Sequence, residues 1–164
     1  MKVRPATIED CGAIARGMKV VVDEGRWLAT EAGTPVEDLE QRFRAAVEWD
    51  GQLLLVLEDG SELVGSLGLH PSNTAGVLSL GMWVLPGWRG RGGGRMLMEA
   101  ALASVPADAH KVELEVFPDN EVAIGLYRSL GFEEEGLRRD HYRREDGSLH
   151  SALIMARLYP DSSG

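Results

Sequence analysis

The chain has 164 residues, the ordinary size of one compact unit with a full hydrophobic core, so two separately cored domains are not expected. Its 17 Lys and Arg stand against 26 Asp and Glu, a net charge of −9 that argues against general affinity for nucleic acid or an anionic membrane. The acids are unevenly placed: residues 63–98 hold none yet carry Arg89, Arg91 and Arg95, which leaves room for a local anion site. The single cysteine, Cys11, excludes an intrachain disulfide framework and a Cys-rich zinc site; its apolar neighbours predict a buried thiol, and no metal is expected. The opening residues lack an apolar targeting core, and no apolar run approaches the ~20 residues of a membrane span, which predicts a soluble, cytoplasmic protein. One domain is expected over residues 1–159, followed by a frayed tail at 160–164.

After a short opening strand, Ile8, Cys11, Ile14, Ala15, Met18, Val21 and Val22 recur at helical spacing, with Thr7 placed to cap that helix. A polar link, Asp23 to Gly33, carries an exposed-looking Trp27. Thr34-Pro35-Val36-Glu37 then reads as a capping box opening a second helix, with Leu39, Phe43, Ala46 and Val47 inward. Strand patterns follow at Gln52–Glu58, Glu62–Leu69 and Val77–Leu85, joined by Asp59-Gly60 and Pro71-Ser72-Asn73, and predict an antiparallel meander. Gly81 inside the third of these marks a bulge or a close backbone approach. A helix from Gly92 to Ser104, a strand from Lys111 to Phe117 and a helix from Asn120 to Leu130 come next, the last with Val122, Ala123, Leu126 and Leu130 inward and Gly131 as its stop. Strands near Glu133–Arg139 and Ser148–Leu158 close the chain.

The segment from Leu85 to Arg95 joins a strand to a helix and is rich in glycine and arginine. Residues without side chains let successive N–H groups point inward, and a helix N-terminus adds its positive end, so the run suits a phosphate; a flexible surface turn is the bland reading. It lacks the Lys-Ser/Thr pair of a P-loop, and Gly90, Gly92 and Gly94 give GxGxG after a meander instead of the dinucleotide fingerprint. What it meets, at Arg89-Gly90-Arg91-Gly92-Gly93-Gly94, is [Arg/Gln]-x-x-Gly-x-[Gly/Ala]. A second match lies downstream: Leu114-Glu115-Val116, then Asn120-x-x-Ala123-x-x-x-Tyr127-x-x-x-Gly131-Phe132-x-x-x-Gly136. Together these resemble the GNAT superfamily of N-acetyltransferases over nearly the whole chain, nearest in motif to ribosomal-protein N-terminal and small-molecule amine acetyltransferases.

The resemblance implies an α/β (α+β) fold: a mixed, mostly antiparallel sheet of six or seven strands with about four helices, whose fourth and fifth strands splay into a cleft for acetyl-CoA. It implies that the backbone of Met82, Trp83 and Val84 pairs with the pantetheine arm, that Val84 N–H receives the developing oxyanion, and that Arg89, Gly90, Arg91, Gly92, Gly93, Gly94 and Arg95 hold the pyrophosphate. Trp83 has a second reading as plain core. Asn120, seven residues before Tyr127 on one helix face, is implied as a CoA-binding amide. Tyr127 is implied as the acid that protonates the leaving thiolate; a structural Tyr at the cleft edge is the alternative.

Many relatives carry a Glu on the fourth strand, where this chain has Ser79, Leu80 and Gly81. Glu115 on the fifth strand matches the base position proposed in ribosomal-protein N-terminal acetyltransferases, against a salt-bridged strand face as the bland reading, with His70 as a second candidate base. Substrate choice falls to the link that holds Asp23, Glu24, Arg26 and Trp27 and to the Arg138–Gly147 region, where acids suit a cationic amine and arginines a carboxylate, unless both stretches are merely solvated. The expected activity is direct acetyl transfer to a primary amine of a small molecule or peptide N-terminus. The alternative is a catalytically silent module that binds acyl-CoA or scaffolds partners. Homodimers are frequent in the family, but no patch here identifies an interface.

Overall fold

Seven strands form one sheet in the order β1-β2-β3-β4-β5-β7-β6, in a computed structural model that describes residues 1–159; the tail expected at 160–164 lies outside the described residues. The strands are β1 (Lys2–Pro5), β2 (Leu53–Asp59), β3 (Glu62–Pro71), β4 (Val77–Val84), β5 (Lys111–Val116), β6 (Glu133–Arg143) and β7 (Leu149–Leu158). Four helices accompany them: α1 (Cys11–Asp23), α2 (Val36–Glu48), α3 (Gly93–Ala103) and α4 (Glu121–Ser129). All neighbouring strands are antiparallel except β4 and β5, which run parallel because α3 carries the chain back across the sheet between them. The fold is the mixed α/β arrangement expected from the motifs.

Strand alternation sends β4 side chains to two cores. Leu78, Leu80 and Met82 join Leu57, Leu67, Leu97, Met98, Val112 and Met155 on the α3/α4 side. Trp83 joins Ile14, Val21, Leu54 and Val56 on the α1/α2 side. Each buried Leu or Ile contributes about 1.5–3 kcal/mol, so both faces of β2–β4 are held firmly. By contrast β6 is exposed along its length except at Tyr142, which is half-buried.

Several local expectations shift. Thr7 opens a short 3-10 turn, Ile8–Asp10, that runs into α1, and the Asp10 carboxylate accepts the Thr7 N–H at 2.7 Å. Helix α2 starts at Val36 with Pro35 as its cap and no side-chain cap bond, so Thr34 does not form the predicted box. Val122 is 85% exposed instead of inward, because Ile124 and Tyr127, three residues apart, set the buried face of α4. The register of β4 on β3 runs unbroken through Gly81, so no bulge forms there. Irregular pairing falls instead at Leu57/Glu58 and in β6 on β7, where Asp140 adopts φ 50° and its N–H donates to Ser151 Oγ. That irregularity lets β6 run on to Arg143, four residues past the expected end.

Candidate functional site

Strands β4 and β5 pair for only four residues, from Val77 opposite Lys111 to Leu80 opposite Leu114. Beyond Leu80 the two part: Gly81–Val84 stays on β3, while Glu115 and Val116 stay on β7. The splay therefore begins at Gly81, which answers its anomalous place in a strand. Leu85 N–H donates to Val64 C=O at 2.9 Å, which fixes the alternation of main-chain groups along β4. Met82 and Val84 accordingly direct N–H and C=O to the free edge, whereas the main chain of Trp83 is turned to Ser66 on β3. Trp83 contributes its ring, 6% exposed and packed so closely over α1 that a Cβ on Gly17 would overlap it; its indole N–H is buried and has no partner among the described residues.

The free edge leads to the N-terminus of α3, capped by Gly92 at φ 84° with Gly90 at φ 73° just before it, and a Cβ on either would meet nothing within 4 Å. The first N–H groups of α3 lack carbonyl partners within the helix and favour an anion. Gly93 serves packing instead, since a Cβ there would strike Leu57. Arg95 donates to Ser129 Oγ at 2.8 Å. Arg89 is turned away from this turn: its Nε donates to Val84 C=O at 3.0 Å and its guanidinium grips the Glu24 carboxylate at 2.7 and 3.1 Å. Two residues expected to meet different ligands thus bind each other. An extended, amide-bearing arm ending in a polyanion fits this edge and helix end, so the residues present suit acetyl-CoA.

Tyr127 lies across the splay on the α3/α4 side, 7% exposed, with its ring 6.0 Å from Phe132. Burial pushes its phenol up to about 12, and its hydroxyl has no hydrogen-bond partner among the described residues. Asn120 caps α4, its Oδ1 accepting Ala123 N–H at 3.3 Å, which leaves its amide NH₂ available. It stands before the helix, so it does not share a helix face with Tyr127 in the manner the spacing suggested.

Glu115 faces the opposite side of the sheet. Its carboxylate accepts from Arg138 Nη1 and from the Tyr142 hydroxyl, and with Ser79, Glu113 and Ile154 it lines a groove of about 220 Å³. Burial, then the bond to Glu115, pushes the Tyr142 phenol up to about 12. His70, half-buried, pairs with Ser79 in the β3–β4 register beyond this groove.

Over this face runs the Asp23–Gly33 link. Glu24 pins one end to Arg89, and Arg144 pins the other, donating to the carbonyls of Leu28 and Ala29 and to Glu31 while lying 5.4 Å over the Phe117 ring. Between the pins Arg26 stacks on Trp27 at 4.2 Å, which leaves Trp27 half-buried instead of exposed. Arg144 belongs to the run expected to hold solvated or substrate-clamping arginines. It is 9% exposed and binds the protein's own main chain. No local signal marks it, because its partners lie more than 110 residues away.

Among the described residues no cluster of His, Cys, Asp and Glu suits a metal, and no helix is long and apolar enough to cross a membrane. Residues 22–132 match the model of the acetyltransferase (GNAT) family. The chain is 43% identical over 89 residues to N-alpha-acetyltransferase RimI of Mycobacterium tuberculosis, a stretch covering 51% of this chain and 54% of that protein. It thus spans about half the length of the curated relatives it matches. The fold is similar to a ribosomal-protein-alanine N-acetyltransferase from Brucella melitensis, with TM-score 0.87, 24% identity and coverage of 97% of this chain and 100% of that one. It is also similar to a phosphinothricin acetyltransferase from Sinorhizobium meliloti in complex with acetyl-CoA, with TM-score 0.82, 19% identity and coverage of 98% and 96%. The splayed strands, the glycine turn and the family match over residues 22–132 lead to one conclusion: this chain belongs to the GNAT acetyltransferase family.

Proposed function

We propose that the chain, as one domain over residues 1–159 working in the cytoplasm, transfers an acetyl group from acetyl-CoA directly to a primary amine of a peptide N-terminus or small molecule. The observation that carries this reading is the parting of β4 from β5 at Leu80 and Leu114, with a glycine-lined helix end at one extreme and Glu115 and Tyr127 on opposite faces of the gap. Acetyl-CoA supplies the acyl group as a thioester with a thiolate leaving group. Met82 and Val84 align the pantetheine amides along the free edge, and Val84 N–H is the fixed donor for the carbonyl oxygen as it gains charge. The N–H groups of α3, with Arg91 and Arg95, hold the pyrophosphate, and the Asn120 NH₂ takes a further amide.

The amine approaches from the α1/α2 face and its nitrogen bonds to the acyl carbon as the C–S bond breaks. Its proton leaves to Glu115, directly or through a water, and the Tyr127 phenol protonates the thiolate on the other face. The high Tyr127 pKa keeps that phenol loaded with its proton throughout neutral pH. Release of free CoA thiol over a panel of amines tests the reading, and acetyl-CoA binding without turnover on any of them would favour a silent acyl-CoA-binding module. Glu115→Gln is expected to shift the pH profile of kcat/KM; an unmoved profile removes Glu115 from the base role and leaves His70 as the candidate.

A further inference from the structure

On the α1/α2 side of the sheet lies a second cavity, of about 240 Å³, roofed by Met18, Leu28, Leu39 and Phe43 and bordered by Trp83 and His70. Its floor is bare at two glycines set between Leu54, Ser66 and Trp83. Gly68 of β3 and Gly81 of β4 are directly paired, a Cβ on Gly81 would meet nothing within 4 Å, and one on Gly68 would meet only Gln52 and Leu54 at 3.9 Å. Paired glycines inside neighbouring strands forfeit cross-strand packing and weaken the sheet, and a glycine in such a place commonly marks the close approach of a ligand. The floor ends where β4 leaves β5, beside the free edge that begins at Gly81.

We propose that this cavity receives the apolar body of the acceptor, so that the preferred substrate carries its primary amine next to a compact apolar group about the size of one ring or a branched side chain. The proposal rests on the acetyl-transfer reading above. The volume lies below the ~300–1,000 Å³ of sites that engulf a whole drug-sized molecule, so it takes one group of the acceptor. Among the described residues Arg42 is the lone charged one along its lining and no carboxylate stands there, which disfavours a second ammonium such as that of a lysine side chain or a polyamine. The amine then lies over Gly81, and the rest of the acceptor runs toward the groove of Glu113, Glu115 and Arg138. An N-terminal residue with an apolar side chain and a free apolar amine share this chemistry.

The test is calorimetric binding to the CoA-saturated protein of tetrapeptides that differ only in a first Met, Phe, Ala or Lys, alongside phenethylamine and spermidine. Met- and Phe-first peptides are expected to bind about tenfold or more tighter than the Ala-first one, the discrimination that one or two methylenes give in an apolar pocket, with the Lys-first peptide and spermidine weaker still. Tight phenethylamine binding assigns the free amine as source; preference for the peptides assigns the N-terminus. Gly68→Val, which suits a strand and finds room at the floor, is expected to remove the Met and Phe advantage while leaving the Ala-first peptide and acetyl-CoA unaffected. Phe43→Ala, which opens the roof, is expected to reduce the same advantage. Equal binding of all first residues, no binding of any apolar acceptor, or equal weakening of every peptide by Gly68→Val overturns the proposal. If acetyl-CoA itself does not bind, the acetyl-transfer reading falls and this one with it; if amines are acetylated without apolar preference, only the cavity assignment falls.

Discussion

The two sides of the β4/β5 gap are built by different means. Toward α3 and α4, the surface offered to a ligand is mainly main chain: the free edge at Met82 and Val84 and the first turn of α3, with glycines at φ 73° and 84°. Toward α1 and α2 it is made of side chains from distant parts of the chain, with Glu115 from β5, Arg138 and Tyr142 from β6, Trp83 from β4 and a link pinned by Arg89 and Arg144. Apart from Arg91, Arg95 and Asn120, assigned above to acetyl-CoA, the first side is therefore expected to tolerate exchange of its surface side chains and to resist changes of backbone. The second, its Gly68–Gly81 floor excepted, should show the reverse.

Tyr127 is the exception on the main-chain side, and its removal gives the largest expected effect. Tyr127→Phe should lower kcat by about 10²-fold or more while acetyl-CoA affinity, measured by calorimetry, stays put; an unchanged kcat would end its proposed role as acid. The raised phenol pKa also contributes stability that is full below pH about 10 and lost as pH rises toward about 12, so Tyr127→Phe should flatten alkaline unfolding in that window. Arg144→Met leaves the Leu28 and Ala29 carbonyls without donors and should cost about 2 kcal/mol in thermal or denaturant unfolding, with the acceptor KM raised and acetyl-CoA affinity kept. Gly92→Ala, which puts a Cβ on a left-handed cap, should cost about 1–2 kcal/mol and weaken acetyl-CoA without touching the acceptor KM.

A smaller effect is set by acid. Asp10 is held down to about 2, chiefly by its bonds to Arg4, so its contribution, about 1–2 kcal/mol, is present above pH 4 and lost as pH falls toward 2. Asp10→Asn should remove that acid limb of the unfolding curve. The smallest change is at the link between the two sides. The Arg89–Glu24 pair is partly exposed and is worth under about 1 kcal/mol, so Glu24→Gln should leave stability nearly intact. If Arg89 exchanges Glu24 for the pyrophosphate, Arg89→Ala weakens acetyl-CoA more than a truncated thioester; equal weakening marks Arg89 as a pin for the link alone.

Legibility in the sequence followed the range of the forces. The meander, the α3 glycine turn and the Gly131 stop are set by neighbours a few residues apart, and each stands where the pattern placed it. Val122 was misplaced because its apolar character is not what orients α4; Ile124 and Tyr127 packing in the core does that. Arg89 and Glu24 were assigned to two ligands since nothing local reveals that residues 65 apart face one another. Tyr142 and Arg144 went unsingled in a run of charged residues, although one holds Glu115 and the other holds the link.

What the sequence by itself determined is the family, the order of elements and the glycine turn that opens α3, because glycine placement, strand alternation and helix phase act within a few residues along the chain. The tertiary structure alone decided which residues meet: Glu115 with Arg138 and Tyr142, Arg89 with Glu24, Arg144 with the link, and Gly68 with Gly81 beneath an apolar roof. Those meetings depend on the register of β3, β4, β6 and β7 and on the docking of α1 and α2, which are settled by burial of the whole core and not by any short stretch of it.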